Sequence, residues 1–322
     1  MKICEILSFQ HLYDPKKLIG IEIEMEGTNL GFNRSILWRF THDGSLRNNP
    51  ESIEYVLKNP SYLGQTALVL ENLQNFLLHR KRTNAIFNPS DRCGVHIHFN
   101  VQHYTTKSLM KFICLYLVFE NLLLRYCGGD REGNLFCLRA VDAEQMIDLL
   151  IDFKKTDNLR NLIRNHSSLK YAAINLGAIR VHGSLEFRGL RTPNNLNDIE
   201  VWIKLLNCIK VEAEKFARPV EIIEACSHYG SIDFTKKIFK DLFPILVKGE
   251  EYNIEQLIFK GIRIAQDIAY TEFEEQKEGP KRKTILHDEM LEHLHSLNHY
   301  TTEMPVSEQD QPTADDSEEV NF

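Results

Sequence analysis

Two glutamates of the chain stand two residues apart in a run that alternates apolar and acidic residues. Glu22 and Glu24 belong to this run, residues 19–27, and its period of two predicts a half-buried strand. Both carboxylates would lie on one face, about 7 Å apart. They repel each other unless a cation or hydrogen-bond donors lie between them. The pair is therefore either a site for magnesium, which prefers oxygen ligands, or a solvated strand face.

Two histidines have the same spacing in residues 95–101. The apolar residues occupy the alternate positions, so His96 and His98 are predicted to share the other face of a second strand. One imidazole could bind a metal while the other contacts a substrate, and a polar strand face is the alternative. A closed zinc site is disfavoured because Cys93 is only three residues from His96 and faces the opposite side.

A third motif places opposite charges two residues apart. Glu186 and Arg188 lie in residues 184–190, which read as another strand. Glu186 could ligate a metal, and the planar guanidinium of Arg188 could bind a phosphoryl oxygen. A salt-bridge network is the alternative. Arg180 and Arg191, in the flanking loops, could add positive charge near a triphosphate or could be ordinary surface arginines.

Three more acids are weaker candidates. Asp43 begins an Asp-Gly turn signal, so local capping explains it as well as metal binding does. Glu54 lies in a strand-like run, residues 53–57, and alternation turns it away from its apolar neighbours. Glu26 continues the acidic face of the first strand.

Together these motifs supply several carboxylates, imidazoles and an arginine on separate short strands. ATP with magnesium needs this set, because cations and arginine stabilise the charge of phosphoryl transfer. The sequence has no P-loop, dinucleotide fingerprint or serine nucleophile elbow, which disfavours P-loop NTPases, Rossmann dehydrogenases and serine hydrolases.

Segments with helical periodicity lie between the predicted strands at irregular intervals. Strands are also expected near residues 38–40 and 171–176, and the predicted helices are residues 61–82, 106–126, 143–153, 198–216, 220–226 and 254–268. This irregular order predicts an α+β fold with a mixed or antiparallel sheet. We expect a catalytic domain over residues 1–275, a helix over 276–300 and a disordered acidic tail over 301–322.

Composition narrows the class of protein. A net charge of −7 without long basic runs argues against a nucleic-acid partner. Seven scattered cysteines without a Cys-x-x-Cys pair, and no signal-peptide pattern, favour a cytoplasmic protein. The most apolar run, residues 112–124, is shorter than the roughly 20 residues that a bilayer needs, so no membrane partner is expected.

The motifs resemble those of the amidoligases, in the carboxylate–amine ligase superfamily of glutamine synthetase and glutamate–cysteine ligase. The resemblance covers about residues 19–195 and rests on four segments in the family's order: Gly20-Ile-Glu-Ile-Glu-Met-Glu26, Asp43-Gly-Ser45, Cys93-Gly-Val-His-Ile-His98, and Asn175-Leu176 leading to Leu185-Glu-Phe-Arg188. It implies a curved antiparallel sheet of the glutamine-synthetase type, with helices on its convex side. The concave side would hold ATP and two or three Mg²⁺ ions, which Mn²⁺ could replace.

The resemblance also implies roles for the residues of the motifs. Glu22, Glu24 and Glu186 correspond to metal ligands, with His96 favoured as a further ligand. Glu54 or Asp43 matches another metal carboxylate more loosely, and Glu26 is extra to the pattern.

Two residues match substrate-contacting positions in the resemblance: His98 lies nearer the substrate, and Arg188 contacts phosphate. The implied reaction joins a small-molecule or peptide carboxylate to an amine through an acyl phosphate. Such enzymes are often encoded by phages or mobile elements, which would place this one in the host cytoplasm. The substrates and the oligomeric state stay open.

Three alternatives to a ligase are compatible with the motifs. A guanidino-type phosphotransferase of the same fold would transfer phosphate without forming an amide. A metal-dependent hydrolase would use the glutamates and histidines without nucleotide. A binding or structural module would keep the fold without catalysis.

Overall fold

A computed structural model describes residues 1–30, 35–42, 46, 51–131, 133–164, 169–250 and 253–271. The turn at Asp43 and the C-terminal segments 276–300 and 301–322 lie outside these residues. The division into a catalytic domain, a helix and a tail therefore stays a prediction.

The described residues form eight strands and eleven α-helices. The strands are Lys17–Thr28 (β1), Trp38–Thr41 (β2), Glu51–Leu57 (β3), Ser61–Tyr62 (β4), Ile86–Phe87 (β5), Val95–Asn100 (β6), Ile174–Asn175 (β7) and Ser184–Phe187 (β8). The helices are Ile3–Leu7 (α1), Thr66–Arg82 (α2), Thr106–Cys127 (α3), Glu144–Thr156 (α4), Leu159–Leu162 (α5), Ala178–His182 (α6), Asn197–Ala213 (α7), Pro219–Tyr229 (α8), Ser231–Phe239 (α9), Phe243–Leu246 (α10) and Ile254–Ala269 (α11).

All eight strands belong to one sheet. The main order is β2-β3-β1-β6-β8-β7, and β4 and β5 also pair with β1. Every pairing between these strands is antiparallel. This confirms an α+β fold with an antiparallel sheet, whereas likeness to glutamine synthetase in particular stays a prediction.

One face of the sheet is apolar and packs against helix α3. Ile97 and Phe187 are adjacent on this face and fully buried. The ring of Phe187 lies 5.0 Å from that of Tyr116 in α3, centroid to centroid. Burying each such side chain contributes about 1.5–3 kcal/mol. Because side chains alternate along a strand, this burial turns the polar residues of β1, β6 and β8 to the opposite face.

Helix α3 is the central helix of the core. It lies between the sheet and helix α11, and its side chains are buried around most of its circumference. A helix in such a position can be apolar on all sides. This confirms that residues 112–124 form a core helix, and no helix of the described segments is long and apolar enough to cross a membrane.

Helices α3 and α11 approach each other closely at Gly261. A Cβ atom at this position would lie 2.3 Å from the carbonyl oxygen of Val118, much closer than real Cβ contacts. Only glycine permits this approach, although it weakens a helix interior by about 1 kcal/mol relative to alanine.

Several of the predicted boundaries are wrong. The helix expected over residues 61–82 begins at Thr66, because Ser61 and Tyr62 pair with the first half of β1. The strand expected over 171–176 is only Ile174–Asn175, and the one over 184–190 ends at Phe187. The loop expected between them contains the short helix α6.

Candidate active site

The polar face of the sheet brings the three motifs together across four neighbouring strands. Glu22 of β1 stands directly opposite His96 of β6, and His98 stands opposite Glu186 of β8. On the other side of β1, Glu54 of β3 pairs with Glu24. Residues paired in this way have Cβ atoms about 4.5–5.5 Å apart, so their side chains share one site.

His96 lies among three of these carboxylates. Its Nδ1 atom is 3.2 Å from Oε2 of Glu22 and 3.6 Å from Oε1 of Glu186. Its Nε2 atom is 3.6 Å from Oε1 of Glu24. The imidazole is only 4% exposed, so these contacts form away from bulk water.

His98 lies on the other side of Glu22. Its Nε2 atom is 3.5 Å from Oε1 of Glu22, and its Nδ1 atom is 3.0 Å from the hydroxyl of Ser184. The ring also meets the ring of His182 edge to face, with centroids 5.6 Å apart. His98 therefore joins the carboxylate cluster to helix α6.

Arg188 follows the end of β8 and points back into the cluster. Its Nη1 atom is 2.5 Å from Oε1 of Glu186 and 3.4 Å from Nδ1 of His96. Its buried Nε atom has no hydrogen-bond partner among the described residues. One N–H group of the guanidinium is therefore left without an acceptor in this part of the chain.

The backbone that carries Arg188 is held by a second arginine. Arg131 is 1% exposed and donates hydrogen bonds to the carbonyl oxygens of Arg188 (2.9 Å), Gly189 (2.9 Å) and Asp91 (3.3 Å). A buried charge needs such partners, because it loses its hydration shell. Arg131 therefore positions the segment after β8.

Glu24 and Glu26 differ from the other carboxylates. Oε2 of Glu24 accepts the backbone N–H of Gly94 at 2.7 Å, and a Cβ atom on Gly94 would lie 3.4 Å from that oxygen. Neither glutamate belongs to the two groups of side chains whose potential metal-ligand atoms converge, which are Glu22 with Glu54 and His96, and Glu22 with His98 and Glu186. Glu26 lies two residues further along β1 and is fully buried.

The charges of the cluster influence one another strongly. Burial alone would raise the pKa values of Glu22 and Glu186. For Glu22, His96 and His98 outweigh burial and hold its pKa well below the usual range; for Glu186, His98 and Arg188 lower the pKa likewise. Burial and the neighbouring charge of Glu22 raise the pKa of Glu54 to about 7. The pKa of His98 is raised, because Glu22 and Glu186 outweigh its burial, so the cluster pairs ionised carboxylates with a cationic imidazole and guanidinium.

The donor atoms of this cluster fit a divalent cation. One ligand atom from each of Glu22, Glu54 and His96 lies within 4.8 Å of the others, and the same holds for Glu22, His98 and Glu186. The carboxylate oxygens suit Mg²⁺ or Mn²⁺, whereas an imidazole ligand also suits divalent transition metals such as Zn²⁺. Two such groups sharing Glu22 have the chemistry expected of adjacent cation sites.

The two arginines predicted in flanking loops, Arg180 and Arg191, precede and follow β8 in the chain. Arg180, in helix α6, lines a cavity of about 210 Å³ together with Lys170, Asn175 and Glu186. Arg191 instead forms an ion pair with Asp91 at 3.1 Å. Phosphate binding by these two arginines stays a prediction.

The sequence predicted no role for three residues of the site, although Asn175 belongs to one of the segments that resemble the family. Asn175 donates a hydrogen bond to Oε2 of Glu186 at 2.7 Å, and Thr41 donates one to Oε2 of Glu54 at 2.9 Å. Thr192 donates to the backbone carbonyl of Glu24 at 2.7 Å. Position in a strand could have suggested Asn175, but no local pattern points to the other two.

The fold and the site define a protein with an acidic, imidazole-containing centre on one face of an antiparallel sheet. Residues 33–209, more than half of the chain, match the model of a family described as "putative amidoligase enzyme". The chain therefore belongs to this family, which indicates a ligase role. No curated protein matches the chain.

Proposed function

We propose that the protein is an ATP- and magnesium-dependent carboxylate–amine ligase that forms an amide or isopeptide bond. The observation that carries the proposal is the meeting of Glu22, Glu54 and His96 beside Arg188, whose Nε atom has no partner in the described part of the chain. Membership in the amidoligase family supports the type of bond formed.

Four side chains of the cluster would supply the cation ligands for this reaction. Glu22, Glu54, His96 and Glu186 would hold the ions, and Glu24 would join them if its carboxylate turned from Gly94. Bound Mg²⁺ would neutralise phosphate charge and polarise the bond to the transferred phosphoryl group.

Phosphate recognition would fall to the arginines. Arg188 presents a guanidinium fixed by Glu186 at 2.5 Å, so it needs little reorganisation to bind phosphoryl oxygens. The cavity next to Glu186 adds Arg180 and Lys170, which suits the remaining charge of a triphosphate. Arg191 would contribute only from the far end of β8.

In the proposed reaction, an oxygen of the substrate carboxylate attacks the γ-phosphorus of ATP, and ADP leaves. The product of this step is an acyl phosphate. An amine then attacks the acyl carbon, phosphate leaves with the proton that the amine nitrogen loses, and an amide remains. Arg188 would stabilise the negative charge on the transferred group, and His98, buried beside Glu22, would contact the substrate.

A turnover experiment tests the ligase. The full chain is incubated with ATP, Mg²⁺ and pooled carboxylates and amines, and ADP, phosphate and new masses are measured. Arg188→Gln should lower the turnover rate by about 100- to 1,000-fold, as expected when a charge-stabilising donor is removed. The matched control is Arg263→Gln, which changes an exposed arginine of α11.

The products separate the ligase from its rivals. A phosphorylated acceptor without an amide would identify a phosphotransferase, and cleavage without nucleotide would identify a hydrolase. Binding of ATP without turnover in any pool would favour a non-catalytic module. Equal turnover by Arg188→Gln and Arg263→Gln would refute the role of Arg188.

A further inference from the structure

A second cavity, of about 250 Å³, adjoins the carboxylate cluster on the side away from Arg188. Glu22 and His98 form one part of its wall, and Arg39 and Lys58 line it as well. His182 lines both this cavity and the one that contains Arg180. The two cavities therefore flank the cluster and adjoin each other at His182.

Arg39 reaches this cavity from the neighbouring strand β2. It pairs with Val56 of β3, which in turn pairs with Glu22 of β1, so all three lie in one row on the polar face. Neighbouring strands are about 4.8 Å apart, which puts the backbones of Arg39 and Glu22 roughly 10 Å from each other. Arg39 therefore forms a cationic end of the cavity, roughly 10 Å from Glu22 of the carboxylate cluster.

The guanidinium of Arg39 is available to a ligand. No hydrogen bond or ion pair of the Arg39 side chain is found among the described residues, and the residue is exposed. Lys58 differs, because its ammonium group donates to the carbonyl oxygen of Ser35 at 2.5 Å. An arginine that has no acid partner in the described segments and lies beside an acidic cluster is suited to bind an anion by two parallel hydrogen bonds.

The size of the cavity restricts that anion. Pockets for drug-sized ligands have volumes of about 300–1,000 Å³, so a cavity of about 250 Å³ suits a smaller ligand. It can take a group of amino-acid size. The polar side chains of Tyr13 and Asn100 also line it, which suits a ligand with additional polar groups.

We propose that this cavity binds the carboxylate substrate and that Arg39 binds a second anionic group of the same molecule. The substrate would then be a dicarboxylate with its two acid groups a few carbons apart, either free or as the acidic C-terminal residue of a peptide. One carboxylate meets Arg39, and the other lies at Glu22 and His98, where it is activated. This assignment rests on the proposed ligase function.

Binding experiments test the substrate class without requiring turnover. Isothermal titration with Mg²⁺ present compares glutarate with its monoamide, L-glutamate with its two monoamides, and alanyl-glutamate with its C-terminal amide. At least one diacid should bind about 10- to 100-fold more tightly than its amides, because a charge-assisted pair is lost in each amide. Tighter binding of alanyl-glutamate than of the free acids would identify a peptide substrate, and the reverse a free acid.

Three variants connect this preference to Arg39. Arg39→Gln should abolish the preference over the monoamide whose amide replaces the carboxylate at Arg39. Arg39→Lys should keep part of this preference, and Arg263→Gln should keep all of it. Thermal melting checks that each variant is folded, which is expected because Arg39 is exposed. The proposal is overturned if the wild type prefers no diacid or if Arg39→Gln keeps the preference.

The outcome is separable from that of the ligase test. An Arg39-dependent preference without ADP formation in any pool would refute ligation and keep diacid binding in this cavity. Amide formation with equal rates for Arg39→Gln and wild type would refute the cavity assignment and keep the ligase.

Discussion

The carboxyl group of Glu120 predicts an unusual dependence of stability on pH. Glu120 lies in α3 and is 1% exposed; its Oε2 atom accepts the backbone N–H of Ala140 at 2.8 Å. Its Oε1 atom has no hydrogen-bond partner among the described residues. Burial raises the pKa of Glu120 from 4.5 to about 8. The group is therefore neutral in the folded protein at pH 7.

Unfolding exposes Glu120 to water and returns its pKa to about 4.5. Between pH 4.5 and 8 the folded state holds a proton that the unfolded state has lost. The stability linked to this proton is fully present below pH 4.5 and is lost as the pH rises to 8. The slope is about 1.4 kcal/mol per pH unit, which amounts to about 4 kcal/mol between pH 5 and pH 8.

Glu120→Gln tests this expectation. The amide is neutral at every pH, and its oxygen can still accept the N–H group of Ala140. The free energy of unfolding of the variant minus that of wild type should therefore increase by about 4 kcal/mol from pH 5 to pH 8. Urea unfolding followed by tryptophan fluorescence measures this difference, in which the titrations of all other groups cancel.

The control is Glu71→Gln, which changes an exposed glutamate of α2. Its difference from wild type should stay within about 0.5 kcal/mol at every pH, as for most surface substitutions. A difference for Glu120→Gln that is equal at pH 5 and pH 8 would show that the buried carboxyl is already ionised, and the reasoning would be refuted.

Three further perturbations have outcomes that the structure predicts. Gly261→Ala should lower the free energy of unfolding by about 1–2 kcal/mol, because overpacking against α3 exceeds the gain in helix propensity. The control is Gly64→Ala, whose added Cβ atom meets no atom within 4 Å. An effect of Gly261→Ala no larger than that of Gly64→Ala would contradict this prediction. Arg131→Met should lower the free energy of unfolding by about 2–4 kcal/mol, because three carbonyl oxygens lose a charged donor. An unchanged midpoint of urea unfolding would contradict this prediction. Glu22→Gln should abolish the rise in melting temperature on adding Mg²⁺, whereas Glu71→Gln should keep it; equal rises would exclude Glu22 as a ligand.

Local sequence patterns predicted the strands that carry the site. The alternation around Glu22, His96 and Glu186 placed each motif on the polar face of a strand, and the structure has these strands. This worked because a period of two is a property of the extended backbone itself. The same rule also predicted the correct face for Glu54.

Patterns failed where contacts between distant segments decide the conformation. Ser61 fits a helical repeat, yet it pairs with Ile19 because the first half of β1 has an open edge there. The segment that holds Arg180 lacks helical periodicity over its few residues. It forms a short helix because Ala178 and Ile179 are buried and Gly183 ends it with a φ of 66°.

The sequence by itself determined which residues share a face within each strand, since neighbouring side chains of an extended chain point in opposite directions. Only the tertiary structure decided that β1 lies between β3 and β6, and therefore that Glu22 meets His96. Strand order depends on hydrogen bonds between segments far apart in the chain, which leave no local pattern. The same holds for Arg39, whose place next to the cluster follows from the pairing of β2 with β3.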